Sequence, residues 1–168
     1  MAAEGETLPG GAALSVPLAI REATPADLGV VMHHRRSMFA DMGTGEREAL
    51  DAMEASLRPL FARAMADGSY RGWLVQADDG RVVAGGGILL LPYHSSPRDP
   101  KPERAWIVNM YTERAYRRQG LARRLMEQMI RWCRAQRMAA VYLHASDEGR
   151  ALYESLGFTP TNEMRLPL

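Results

Sequence analysis

A chain of 168 residues, 46% hydrophobic and 24% charged, is long enough to bury one sizeable core and is ordinary for a globular domain. Its longest apolar run, residues 82–91 with three glycines inside, is too short to cross a bilayer, and one cysteine, Cys133, excludes an internal disulfide and suits a reducing cytoplasm. The net charge of +1 is unevenly spread: residues 110–137 hold eight arginines against Glu113 and Glu127, which leaves an acidic remainder and points to an anionic ligand at that segment.

Residues 1–17 are rich in Ala, Gly and Pro and lack a basic stretch ahead of an apolar one, so they read as a disordered tail, not a secretory signal. One domain, residues 18–168, follows. Residues 18–21 read as a strand. Thr24, Pro25 and Asp27 then mark a helix start, with an N-cap, a proline at the first position and an acid in the first turn. That helix should reach about Ala40 and bury Leu28, Val31, Met32, Met38 and Phe39. Gly43 and Gly45 break the chain. A second helix over residues 46–66 carries Pro59, which should kink or divide it, and Gly68 is a plausible stop. Strands 70–77 and 81–91 meet at the turn Asp78-Asp79-Gly80. Residues 92–104 form a loop with four prolines, either a substrate gate or a plain surface loop.

Strand 105–112, a basic loop, helix 121–137, strand 139–145, helix 147–156 and a terminal strand near residues 162–166 complete the chain. In the helix, Leu121, Leu125, Met126, Met129 and Cys133 make one apolar stripe, so Cys133 reads as an inert packing residue. The loop before it, Arg117-Arg118-Gln119-Gly120, feeds a helix N-terminus. There the first N–H groups lack partners, the dipole favours an anion, and Gly120 lets it approach the backbone. The segment reads as a pyrophosphate cradle. No P-loop, dinucleotide fingerprint, nucleophile elbow or metal-ligand spacing accompanies it. The helix arginines share their exposed face with Glu127 and Gln128 and no nucleic-acid motif accompanies them, so neither nucleic acid nor membrane is an expected partner.

Arg117 to Ala122 runs as Arg, two residues, Gly, one residue, Ala. Downstream stands Leu152-Tyr153-Glu154-Ser155-Leu156-Gly157-Phe158. Together, in this order, the two segments resemble the acetyl-CoA signature and the recurrent LYExLGF element of the GNAT superfamily of N-acetyltransferases. The resemblance implies an α/β fold: a mixed, mostly antiparallel sheet of six to seven strands flanked by about four helices. It implies acetyl-CoA as co-substrate, with no metal. Backbone groups of Arg117, Arg118, Gln119, Gly120, Leu121 and Ala122 would hold the pyrophosphate, with Arg118 and Arg123 beside the phosphates. Main-chain groups of Met110, Tyr111 and Thr112 would meet the pantetheine arm, between strands 105–112 and 139–145 that splay apart, and a main-chain N–H near Met110 or Tyr111 would serve the oxyanion. Ser146 stands where many members carry Asn.

The resemblance also implies roles in catalysis. Tyr153 matches the tyrosine that protonates the leaving thiolate, and a phenol of pKa ~10 suits a thiol of pKa roughly 8.5. Trp106 occupies the position of a basic Glu in some members and cannot act as a base. Glu103 is the candidate base carried forward, with His94, His144, His33 or a water relay as alternatives. The expected reaction is direct acetyl transfer, within a ternary complex, to a small-molecule primary amine. A protein N-terminus or lysine as acceptor, or a non-catalytic CoA-binding module, are the alternatives. Acceptor contacts are expected near His33, His34, Arg35, Met38 and Phe39 and from the proline-rich loop; a homodimer is left open.

Overall fold

In the computed structural model, which describes residues 18–97 and 99–168, five strands line up in chain order as one sheet: β1 (Leu18–Glu22), β2 (Tyr70–Ala77), β3 (Val82–Pro92), β4 (Glu103–Thr112) and β5 (Val141–Tyr142). The expected tail lies outside the described residues. All neighbours pair antiparallel except β4 and β5, which are parallel. Helices α1 (Leu28–Asp41), α2 (Arg47–Asp67), α3 (Leu121–Ala135) and α4 (Asp147–Ser155) flank the sheet. The α/β mixed-sheet expectation therefore holds, with five strands in place of six or seven.

The missing strand is the terminal one. Among the described residues, 159–168 pair with no strand, and Pro160 and Pro167 remove two of their ladder donors. Strand β5 is also shorter than residues 139–145. It bonds β4 only at Ala105–Val141 and Trp106–Tyr142 and then diverges. Two helix expectations need correcting as well. The chain from Pro25 to Asp27 is a 3-10 turn before α1, with Asp27 accepting the Thr24 N–H at 2.8 Å and pairing with Arg21 at 2.7 Å. Helix α2 runs unbroken through Pro59, whose exposed position leaves the freed carbonyl of the preceding turn to water.

Two apolar clusters form the core, one on each face of the sheet. Val31, Met32, Phe61 and Ala64 of α1 and α2 pack with Tyr70, while Leu125, Met126, Met129 and Cys133 of α3 pack with Trp73, Val75, Ile88, Ala105 and Ile107. Each such large side chain contributes about 1.5–3 kcal/mol by leaving water. Helix α1 departs from its expected inner face. Met38 and Phe39 are only half-buried, whereas His34 is 2% exposed.

The three glycines of β3 explain how His34 fits. A Cβ on Gly85 would lie 2.8 Å from His34 Nδ1, one on Gly87 would enter the Tyr70 ring, and one on Gly86 would strike Met110 Sδ on the opposite face. Glycine there makes room for large side chains that cross the strand from both sides.

Candidate active site

Opposite those glycines β4 carries a bulge. Gly85 faces Tyr111 and Gly87 faces Val108, so Gly86 alone faces both Asn109 and Met110. Asn109 adopts φ 59°, a left-handed conformation that asparagine tolerates better than most residues. The extra residue re-aims the strand. Val108 packs toward α1 and α2, and Asn109 stays on that side, where it accepts a hydrogen bond from Arg35 at 2.9 Å. Met110 turns to the α3 face, and Tyr111 returns to meet the His34 ring at 5.3 Å. A bulge takes its extra residue out of the regular ladder and turns the strand locally.

The parallel strands part beside this bulge. Two residues beyond the last paired position, Trp106–Tyr142, the chain reaches Val108 on one side and His144 on the other. Trp106 stacks on Tyr142 with centroids 6.0 Å apart, and the exposed His144 ring meets Trp106 edge-on at 4.8 Å. A cavity of about 780 Å³ along β5 is lined by these three residues and by Tyr153, Phe158 and Glu163.

Tyr153 stands on α4. Its ring lies over Gly149, where a Cβ would come within 2.6 Å of Cε2, and it packs edge-on against Phe158 at 6.1 Å. Burial raises its pKa above the usual phenol value, so it keeps its proton at neutral pH. Ser146 caps the same helix, its Oγ accepting the Gly149 N–H at 3.2 Å. Its hydroxyl is thus already engaged within its own turn.

The basic loop enters α3 through Arg118 at φ 63° and Gly120 at φ 76°, and no side chain caps the helix. Among the described residues, nothing beyond the adjoining chain lies within 4 Å of where a Gly120 Cβ would be. An uncapped helix start with open space above its glycine leaves backbone N–H groups facing outward where an anion is favoured. Leu121 offers only its backbone, since its side chain is in the core. Gln119 is exposed, its amide reaching the Ala115 carbonyl. Among the described residues Arg118 makes no side-chain hydrogen bond and is free for a phosphate. Arg123 donates to Ser155 Oγ at 2.6 Å. Arg117 differs from the simple anion-cradle picture: its guanidinium donates to the Thr112 carbonyl at 2.9 Å and pairs with Asp41.

Glu103 does not stand at the splay. It heads β4 opposite Pro92 and lines a separate hollow with Leu60, Arg63 and Asp67, because the strand's direction puts it at the end away from the bulge. His33 pairs with Glu113 at 3.1 Å, just ahead of the basic loop in the chain. His94 stacks on Tyr93 at 4.2 Å in the β3–β4 loop. Burial holds His34 at about 4, so it is neutral. Cys133 is buried and pushed up to about 11, an unreactive thiol. Among the described residues no group of His, Cys, Asp and Glu could hold a metal ion, and no helix is long and apolar enough to cross a membrane.

Asn109, Gly149 and Asp41 were not singled out from sequence. Asn109 had one faint signal, a residue type tolerant of positive φ within a strand; the other two had none.

A family model described as the Acetyltransferase (GNAT) family matches residues 36–158. Among solved structures, a GCN5-related N-acetyltransferase from Ralstonia eutropha is 31% identical with TM-score 0.83, covering 90% of this chain and 99% of its own. An acetyltransferase from Clostridium acetobutylicum, solved with acetyl-CoA, is 22% identical with TM-score 0.81 over 90% of this chain and 96% of its own. Glucosamine-6-phosphate N-acetyltransferase from Arabidopsis thaliana shares the fold at 15% identity and TM-score 0.63, over 90% and 98%. No curated protein sequence matches the chain. With more than half its length matched by the family model, and with the splay, bulge and uncapped helix in place, the chain belongs to the GNAT family of acetyltransferases and is an acyltransferase using acetyl-CoA.

Proposed function

We propose that this enzyme moves the acetyl group of acetyl-CoA to a small-molecule primary amine by direct transfer in a ternary complex. The observation that carries the reading is the parting of β4 and β5 beside the Asn109–Met110 bulge, and Tyr153 and His144 both line the cavity that runs along β5. Acetyl-CoA supplies the activated thioester. The backbone of Gly120, Leu121 and Ala122 with Arg118 binds its phosphates, while the main chain of Met110, Tyr111 and Thr112 aligns the arm.

The remaining chemistry belongs to the chain. His144, level with Val108 across the splay, takes the proton that an ammonium of pKa roughly 10 must lose before it can attack. Backbone N–H groups at the bulge face the position where negative charge develops on oxygen. Tyr153 keeps its proton because it is buried, and gives it to the departing sulfur. The reading is tested with purified protein, acetyl-CoA and a panel of small primary amines, followed by mass spectrometry. Products one acetyl group heavier support it; a panel returned unchanged sinks it.

A further inference from the structure

Arg104 stands on β4 opposite Leu91, one residue before the strand begins to pair with β5. Its guanidinium lies 3.8 Å from the Tyr93 ring centroid and 4.0 Å from that of Tyr142, with Trp106 at 5.9 Å. The side chain is only 14% exposed. A planar cation held between two rings has fixed orientation and leaves its N–H edge as the reactive surface. That edge meets one carboxylate, Glu163.

Glu163 is delivered by an unanchored segment. Residues 159–168 make no backbone hydrogen bond to the sheet among the described residues, and Met164 and Leu166 beside it are 98% and 81% exposed. Glu163 itself lines the cavity with Trp106, Tyr142 and His144. A carboxylate carried on such a segment is exchangeable for another, and its departure uncovers the Arg104 edge beside Trp106 and Tyr142, which line the cavity.

We infer that Arg104 is the anion-recognition group of the acceptor site, that the acceptor is an amine bearing a carboxylate at its far end, and that Glu163 holds that place in the resting enzyme. This rests on the acetyl-transfer reading for where the amine lies. Arg104 and Val108, level with His144, are four residues apart, about 13 Å of strand. Side-chain reach shortens the gap, which then fits an amine and carboxylate separated by several methylenes, not an α-amino acid.

The probes are 6-aminohexanoate and hexylamine, each titrated by calorimetry into the full chain and assayed for CoA release. Wild type binds 6-aminohexanoate more tightly than hexylamine. Arg104→Gln weakens the acid about tenfold or more and leaves hexylamine unchanged, as loss of a charged hydrogen bond requires. Glu163→Gln, which spares the ring sandwich, tightens the acid only. Equal binding of both probes, or indifference of both variants, overturns the subsite. Arg104-dependent binding with no acetylated product from any amine keeps the subsite and removes the transfer reading. Equal acetylation of both probes by wild type and Arg104→Gln does the reverse.

Discussion

Asp41, at the end of α1, holds Arg117 of the basic loop and Arg114 of the turn before it, the latter at 2.6 Å. One carboxylate thus ties helix α1 to the basic loop proposed to receive pyrophosphate. The two guanidinium partners keep its pKa below the usual carboxylate range. Asp41→Ala is expected to cost about 1 kcal/mol of stability, the scale of a small surface network. It should also weaken acetyl-CoA several-fold, because Arg117 then holds only the Thr112 carbonyl. Thermal unfolding and calorimetry check both; unchanged cofactor affinity would separate Asp41 from the loop.

The glycines of β3 give a ranking. Gly87→Ala pushes a methyl into the rigid Tyr70 ring, whereas Gly86→Ala meets the flexible end of Met110. Overpacking costs about 1–3 kcal/mol, with the rigid neighbour at the upper end. Denaturant unfolding should show Gly87→Ala as the less stable variant. The opposite order would mean that the ring, not the thioether, gives way.

His34 makes stability depend on pH. Burial first, then the neighbouring His33, lower its pKa from 6.5 to about 4 against the opposing pull of Glu113. The unfolded chain therefore binds a proton near pH 6.5 that the native state refuses. The native state's full advantage is present above pH 6.5 and is lost as pH falls toward 4, a total of about 3 kcal/mol. Unfolding free energies measured at pH 7.5 and pH 5 should differ in wild type by more than in His34→Asn. Equal slopes would place His34 in contact with water.

Sequence carried the α3 stripe and both family segments because each is a local pattern: a 3.6-residue period, a glycine at a helix start, a helix closed by Gly157. The relationships that shape the site are non-local. Arg117 and Asp41 are 76 positions apart, so nothing near the arginine shows that its guanidinium is engaged. The Asn109 bulge exists only in register with β3, and β5 parts from β4 through pairing that its own apolar alternation cannot express. Glu103 takes its place opposite Pro92 from the pairing of β4 with β3, which its residue type does not express.

The most direct test of the account is Tyr153→Phe, assayed with the best amine of the panel. The substitution removes one oxygen and keeps the ring over Gly149 and against Phe158. Loss of a general acid predicts a fall in kcat of about a hundredfold or more, with the Kd for acetyl-CoA unchanged. A variant that turns over at the wild-type rate would contradict the assignment of the splay and its tyrosine as the place of transfer.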